Sequence, residues 1–360
     1  MFRTIPEHDN DNASYSNDDD NSIDDIFLPV NNKTRFIYPP NPWFIETYKL
    51  WHKHQAVVWT SSEVSPELDR DAFQALEPKF QDICLNMMAC LMWGDSTVLE
   101  IMEKNIVELI TAREVQVLLA DIVARENVHE EVYSKMICDL ASIYCCSEKY
   151  RNDEFKNKYL IRFEVLKKKY IKYQQNPAVF FYFIMLCETI LFAPMFQTIC
   201  YMAYSGSTPI LGSINAQVKR DEAIHYRHAR LRLSEFKVKM NKKLAREILD
   251  DFMSMVESIM ELIIGDYKSL DGLYSLAICK QHLKHVCTGI MYENSLYYNS
   301  FEMDENIGKY KTTPAALYMD LMKNEVRSNL MESQSTIYAV GEQLSSQLQV
   351  KLNIDTMGDW

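Results

Sequence analysis

Two short motifs carry the residues that are best suited to metal chemistry. Each is a Glu-x-x-His unit, formed by Glu126 with His129 and by Glu222 with His225. On a helix, side chains three positions apart lie on one face about one turn from each other. A carboxylate oxygen and an imidazole nitrogen can then reach the same ion, so each unit predicts half of a site for two metals.

A single acidic residue precedes each of these units at a similar distance along the chain. Asp95 lies 31 positions before Glu126, and Glu188 lies 34 positions before Glu222. Antiparallel helices of roughly 20 residues joined by short turns need this spacing. The sequence therefore predicts an acid-bearing helix followed by a Glu-x-x-His helix, twice over, as in di-iron and di-manganese carboxylate bundles. Two cations would offset the cost of burying so many carboxylates.

Taken singly, these residues also have simpler explanations. Asp95 lies on an apolar stripe, where its charge needs a partner. A salt bridge to a buried arginine would neutralise that charge as well as a metal ion would. A core histidine beside a tyrosine, such as His129 beside Tyr133, is commonly a hydrogen-bonded packing residue. The metal interpretation therefore depends on all six side chains together. Their oxygen-rich set suits iron or manganese better than structural zinc, and we expect two iron ions, with manganese as the alternative.

Tyr133 indicates how the oxidising power of such a centre could be used. It lies one turn beyond His129, where its phenol can approach the metals without binding them. Phe192, Phe196 and Val218 fall one or two turns from the ligands and could enclose the phenol in apolar surface. A tyrosine oxidised by one electron persists only where water and reductants are excluded, so these positions favour a protected radical site.

Helical periodicity supplies the elements that must position these side chains. Glycine (9) and proline (11) are sparse and methionine (19) is plentiful, which favours long helices over short strands. Pro194 lies inside the helix that carries Glu188 and is expected to kink it near that residue. The predicted helices are 42–58, 78–103, 106 or 114–140, 148–173, 178–204, a helix that starts at Ser213, 242–265, 268–290 and 313–330.

The stretch 178–204 also allows another interpretation, a membrane-anchored protein. Glu188 is its only ionised residue, and its length would cross a bilayer. Glu188 lies inside this stretch, and Pro194 and Gln197 interrupt its apolar surface. These features favour a helix that is buried on all sides within a large bundle. No second span is predicted.

The charge and the ends of the chain favour protein partners over nucleic acid. The formal net charge is −12, whereas phosphate binding needs basic patches. Acidic residues crowd the first 25 positions, so we expect residues 1–30 to be a disordered tail before a folded domain at 31–330. Residues 331–360 are rich in serine and glutamine, and their aromatic, acidic tip suits docking into a groove on a partner.

The cysteines and the beginning of the chain bear on its location. Nine cysteines follow no repeating spacing, and several lie in apolar helical stretches, Cys84 and Cys187 among them. They are typical of reduced thiols in a cytoplasmic protein, and no secretory signal is predicted. The remaining histidines, such as His54 and His228, show no pattern that indicates chemistry.

Over nearly its whole length, from about Arg35 to Trp360, the chain resembles the small, radical-bearing subunit of class I ribonucleotide reductase. The family places a tryptophan shortly before Glu-Val, then an Asp followed by a small residue, then a Glu-x-x-His with a tyrosine four residues later. An acid with two downstream phenylalanines and an Arg-Asp-Glu-x-x-His signature complete its pattern. The matching residues here are Trp59 with Glu63-Val64, Asp95-Ser96, Glu126 and His129 with Tyr133, Glu188 with Phe192 and Phe196, and Arg220-Asp221-Glu222 with His225.

The resemblance implies an all-α, ferritin-like helical bundle with a dinuclear metal site in its core and disordered tails. It also implies a homodimer that uses O₂ to form a stable tyrosyl radical. The C-terminal tail is expected to dock on a large catalytic subunit, which reduces ribonucleotides to deoxyribonucleotides.

The resemblance further implies a route for the oxidising equivalent. It runs from Tyr133 past His129, Asp221 and Trp59 to a tyrosine in the C-terminal tail. Tyr338 is assigned to that last position, because the sequence Tyr-Ala-Val-Gly that it begins is similar to the tail of the family.

Two other classes of protein share such ligands. A fatty-acyl desaturase or another oxidase on the same bundle would need a long apolar substrate channel. It would not need a radical tyrosine or a docking tail. An iron-storage protein or a non-catalytic helper subunit would keep the ligands for storage or structure alone.

Overall fold

A computed structural model describes residues 36–105, 110, 112–143, 146–170, 176–206, 208–235 and 240–293. Over these residues the fold is all-α, as predicted. In chain order the helices are α1 (Ile45–Gln55), α2 (Arg70–Gln74), α3 (Pro78–Asn105), α4 (Arg113–Ala141), α5 (Cys146–Tyr150), α6 (Asp153–Phe155), α7 (Ile161–Tyr170), α8 (Pro177–Leu186), α9 (Ala193–Ser205), α10 (Pro209–Glu235), α11 (Lys242–Ile264) and α12 (Leu276–Glu293). The expected tails 1–30 and 331–360, the helix 313–330 and Tyr338 lie outside the described residues.

Four long helical segments surround the centre of the bundle in two pairs. The helix α3 packs along α4, and α10 packs along α8 and α9. Contacts between α3 and α9 and between α4 and α10 close the ring. The helix α1 lies against α4 and α10, while α11 and α12 cover α8 and α9. This pairing matches the repeat in the sequence, an acid-bearing helix beside a Glu-x-x-His helix, twice over.

The apolar stretch 178–204 folds as α8 and α9 joined by a π-helical turn, Cys187–Leu191, which contains Glu188. This π turn interrupts the helix near Glu188. Pro194 does not cause the interruption, because it occupies the first turn of α9, where a missing N–H costs no helical hydrogen bond. The segment Ala178–Ser205 is long and apolar enough to cross a membrane, but 94% of its apolar window is buried, as expected for a core helix.

The start of α10 differs from the prediction by four residues. The helix begins at Pro209 rather than Ser213. The backbone N–H of Leu211 donates a hydrogen bond to Oδ2 of Asp69 at 2.8 Å. A residue from much earlier in the chain thus accepts from an N–H group that has no partner within the first turn of the helix. A cap supplied by a distant residue leaves no local signal in the sequence.

The helix predicted over 268–290 begins only at Leu276. Gly265 and Gly272 have positive φ values of 58° and 72°, and they turn the chain between α11 and α12. The two glycines mark a connection where the apolar periodicity alone suggested continuous helix.

Candidate metal centre

Six side chains from four helical segments meet in the middle of the bundle, and all of them are buried. They form two overlapping groups, within each of which one ligand atom per residue lies within 4.8 Å of the others. One group is Asp95, Glu126, His129 and Glu222, and the other is Glu126, Glu188, Glu222 and His225. Two residues, Glu126 and Glu222, belong to both groups. Two neighbouring metal ions that share carboxylates need this arrangement.

Three of the carboxylates accept no hydrogen bond. Both oxygens of Asp95, of Glu126 and of Glu188 are buried and have no hydrogen-bond partner, and Nδ1 of His225 lies 3.8 Å from Glu188. Burial, reinforced by the charges of Glu126 and Glu222, raises the pKa of Asp95 and Glu188 well above the usual range. A metal ion would satisfy these oxygens, and oxygen donors with imidazole suit iron and manganese. The residues present therefore fit a dinuclear centre.

Glu222 has the opposite electrostatic environment. It lies 3.0 Å from Nδ1 of His129 and 3.0 Å from Nδ1 of His225. Burial opposes its ionisation, but the two imidazoles hold its pKa below the usual range. Burial likewise opposes a charge on the two rings, but the surrounding carboxylates raise the pKa of His129 and His225 well above the usual range. Without metal, protons on the rings balance the charge, and metal ions would displace them.

The imidazoles of His129 and His225 have the same orientation. Nδ1 of each ring faces the carboxylate cluster. Nε2 of His129 lies 3.3 Å from Oδ2 of Asp221, and Nε2 of His225 lies 3.4 Å from Nε2 of His54. An outer partner of this kind determines which ring nitrogen is free to bind a metal.

Trp59 is connected to the His129 side of the centre. Its indole Nε1 donates a hydrogen bond to Oδ2 of Asp221 at 2.8 Å, and the same oxygen lies 3.3 Å from Nε2 of His129. The indole and imidazole rings are stacked, with centroids 6.0 Å apart. These three residues, which the resemblance placed on one route, are therefore in contact with one another.

Two arginines hold the backbone on either side of the Trp59 ring. Arg125 of α4 donates to the carbonyl of Trp59 at 2.5 Å, and Arg220 of α10 donates to the carbonyl of Val57 at 2.8 Å. Thr60 is the N-cap of the short 3₁₀ helix that follows, and its backbone N–H donates a hydrogen bond to the side chain of Glu63. Sequence analysis did not single out Arg125, whose only signal is a charged residue directly before a ligand on a buried helix.

Tyr133 is buried in the same core. Its side chain has no exposed surface, and its hydroxyl has no hydrogen-bond partner. Burial, followed by the nearby charge of Asp95, raises the pKa of the phenol well above its usual range. Phe192, Phe196 and Val218 are buried as well, and the two phenyl rings meet edge to face with centroids 5.9 Å apart. The phenol is thus shielded from water.

A glycine next to the first ligand makes room for Phe192. A Cβ atom at Gly94 would lie 2.4 Å from Cε1 of Phe192, well inside the contact distance of two carbon atoms. Glycine inside a helix costs roughly 1 kcal/mol relative to alanine. That cost is the signal by which sequence analysis could have identified Gly94 as a packing position beside the site.

His54 is the second residue that sequence analysis did not find. It is fully buried in the last turn of α1, where burial lowers its pKa. Its Nδ1 lies 2.7 Å from Oδ2 of Asp121, and its Nε2 faces His225. No spacing rule connects His54 with the ligands, because α1 reaches the centre only through the tertiary fold.

A sequence profile described as "Ribonucleotide reductase, small chain" matches residues 41–292, a range that includes all six residues of the cluster. The chain belongs to this family. Subunit M2 of ribonucleoside-diphosphate reductase from Mesocricetus auratus is 23% identical to this small chain over 306 residues, covering 79% of it and 75% of the relative. The ribonucleoside-diphosphate reductase small chain of African swine fever virus is 25% identical over 271 residues, covering 72% and 79%.

Two solved structures share the fold of this chain. The Rnr4 homodimer of Saccharomyces cerevisiae aligns with a TM-score of 0.62 and 18% identity, covering 77% of this chain and 90% of the solved chain. The dimanganese(II)-NrdF of Streptococcus sanguinis gives a TM-score of 0.56 and 15% identity, covering 75% and 95%. The predicted ferritin-like bundle is therefore confirmed.

As a ribonucleotide reductase small chain, this protein is the small subunit of a ribonucleoside-diphosphate reductase, and its partner is the large subunit. The buried cluster of carboxylates and histidines fits the dinuclear metal site of that subunit. The desaturase and iron-storage alternatives gain no support from these relatives.

Proposed function

We propose that this small chain forms and keeps a tyrosyl radical at Tyr133 and delivers its oxidising equivalent to the large subunit, which reduces ribonucleotides to deoxyribonucleotides. The observation that supports the proposal best is a buried phenol without a hydrogen bond in the same core as six buried carboxylate and imidazole side chains that could bind metal. Retention of all six ligands argues against a non-catalytic helper subunit.

The proposed metal ligands are Asp95, Glu126, His129, Glu188, Glu222 and His225. With two iron ions bound, the centre would supply the one-electron oxidising power that O₂ provides. The protein holds the carboxylates in a buried site, where Glu126 and Glu222 could serve both ions. We assign iron, with manganese as the alternative that the same ligands accept.

Tyr133 would give up one electron to the oxidised metal centre and the proton of its hydroxyl to a carboxylate of the cluster, with Asp95 as the candidate because its charge acts most strongly on the phenol. Because the hydroxyl makes no hydrogen bond in the protein, no existing hydrogen bond has to break when the proton leaves. Phe192, Phe196 and Val218 would then protect the oxidised ring, since apolar side chains offer neither a reductant nor a path for water.

The proposed route from the radical continues through His129, Asp221 and Trp59. It approaches the protein surface there, since the neighbouring Val58 is 48% exposed. Tyr338 would carry the route onward within the tail 331–360, which we propose docks on the large subunit. We also propose a homodimer, as in the Saccharomyces cerevisiae structure, and a cytoplasmic location.

The test is metal analysis combined with electron paramagnetic resonance on the chain loaded with iron or with manganese under air. We expect two ions per chain and, after loading with iron, the signal of an organic radical. Two iron ions without any radical would contradict the role of Tyr133 and favour an oxidase or a storage protein. A radical that forms only with manganese would overturn the choice of iron alone.

A further inference from the structure

His54 is buried and pairs with the partly exposed Asp121 behind His225, one of the two proposed ligand histidines. His54 Nδ1 lies 2.7 Å from Oδ2 of Asp121, and His54 Nε2 lies 3.4 Å from Nε2 of His225. The two imidazole rings meet edge to face, with centroids 5.2 Å apart. Three helices are thereby connected, since Asp121 is on α4, His54 on α1 and His225 on α10.

We propose that Asp121 and His54 are positioning residues that hold His225 with its Nδ1 directed at the metal centre. The inference rests on the proposed function, because it assigns a role toward the metal ions that the centre would bind. It concerns residues outside the six ligands and outside the route through Trp59.

The hydrogen bonds determine the tautomer of each ring. A carboxylate only accepts, so Asp121 requires a proton on Nδ1 of His54. The neutral His54 ring then has a lone pair on Nε2, and His225 donates its own Nε2–H to that lone pair. Nδ1 of His225 is left with a free lone pair on the side of Glu126, which lies 2.8 Å away. Without His54, either nitrogen of His225 could carry the proton and the ring could rotate.

Asp121 is itself held in place. Gln55, which follows His54 on α1, donates its side-chain amide to Oδ1 of Asp121 at 2.6 Å. Each carboxylate oxygen therefore has a partner on α1. The Asp121 side chain is 13% exposed, so the pair ends close to the protein surface.

The two ligand histidines consequently have different outer partners. Nε2 of His129 faces the carboxylate of Asp221, whereas Nε2 of His225 faces the neutral ring of His54. A carboxylate strengthens the ligand that it contacts more than a neutral ring does. We therefore expect the ion on the His225 side to bind more weakly than its neighbour and to depend on Asp121 and His54.

The experiment is a titration of the full-length chain with Mn(II) alone, followed by electron paramagnetic resonance of free and bound metal. The chain itself should bind two ions. His54→Ala and Asp121→Ala should bind one ion as before and the second about 10- to 100-fold more weakly. Asp121→Asn should recover part of the affinity, because an amide oxygen still accepts from His54.

His52→Ala is the matched control, since His52 is an exposed histidine on the same helix, and it should bind both ions normally. Circular dichroism verifies folding. If His54→Ala does not fold, the less buried Asp121 variants decide the matter. Two unaltered affinities in the alanine variants would overturn the positioning role while leaving the proposed function intact. A parent chain that binds no manganese and no iron would overturn both.

Discussion

The indole N–H of Trp59 is hydrogen-bonded to Asp221 at 2.8 Å, and the accepting oxygen also lies within 3.3 Å of the His129 ring. One carboxylate oxygen thus connects a tryptophan next to the surface with an imidazole that faces the metal cluster. Because Arg125 and Arg220 hold the backbone on both sides of the indole, its position does not depend on the carboxylate alone.

This contact makes Trp59→Phe an informative variant. Phenylalanine keeps an aromatic ring but loses the N–H, so we expect metal content to stay at two ions per chain and reductase activity with the large subunit to fall roughly 10- to 100-fold. Trp93→Phe is the control, since it also loses an indole hydrogen bond, to the carbonyl of Tyr150, from a different face of α3 than that of Asp95. Equal activity of the two variants would remove Trp59 from the route.

Tyr133→Phe should separate metal binding from radical formation. We expect normal iron content but no organic radical signal and no reductase activity. The free energy of unfolding should stay the same or rise by about 1 kcal/mol, because a buried hydroxyl without a partner is removed. Tyr274→Phe, which loses the hydroxyl contact of another buried tyrosine with Thr198, should keep its radical. An unchanged radical in Tyr133→Phe would exclude Tyr133.

Gly94→Ala tests the packing beside Asp95. The added methyl would overlap the buried ring of Phe192, so we expect a loss of about 1–3 kcal/mol in the free energy of unfolding. A displaced ring would also let solvent closer to the radical and shorten its lifetime. The double variant Gly94→Ala, Phe192→Leu should recover part of the stability. Urea unfolding and the decay of the radical signal measure both effects.

Asp69 gives a pH dependence that is independent of the metal. Burial raises the pKa of this carboxyl to about 6, although the backbone amides of Leu211 and Ile210 lower it in part. The folded state therefore holds the proton more tightly than the unfolded chain, and stability falls as the pH rises through 6. Between pH 4.5 and 7 the loss should be roughly 2 kcal/mol.

Asp69→Asn should lack this loss, because the amide does not ionise and its oxygen can still accept from the Leu211 N–H. Denaturant unfolding at the two pH values gives the free energy of unfolding of the parent and of Asp69→Asn. Contributions that both proteins share, such as that of the metal centre, cancel in the difference between the two free energies. If the difference between the free energies of unfolding of the two proteins does not change with pH, Asp69 ionises normally.

Deletion of the last ten residues tests the proposed docking tail. We expect association with the large subunit to be lost, while metal content and the radical signal persist. A chain with the same ten residues in scrambled order serves as the control for length and charge. Unchanged association would show that the chain docks on the large subunit through another surface and would overturn the role of the tail.

The cluster of six side chains could be predicted from sequence because their types and spacing repeat along the chain, and the resemblance that they carry implied the ferritin-like fold. Residues that reach the site from other elements could not. His54 lies on α1 and Asp69 caps a helix that begins far along the chain, so neither has a neighbour in sequence that reveals its partner. The π turn around Glu188 could not be predicted from apolar periodicity either, because that pattern assumes a helix with a constant number of residues per turn.

That π turn, Cys187–Leu191, has a consequence for how this segment can vary in evolution. It accommodates one residue more than a regular helix of the same rise. Deleting a single amino acid from it would restore ordinary helix, but each residue of an α-helix turns the chain by about 100°. Phe192 and Phe196 would then rotate away relative to Glu188, so the packing around the centre depends on the length of this short segment as well as on its carboxylate.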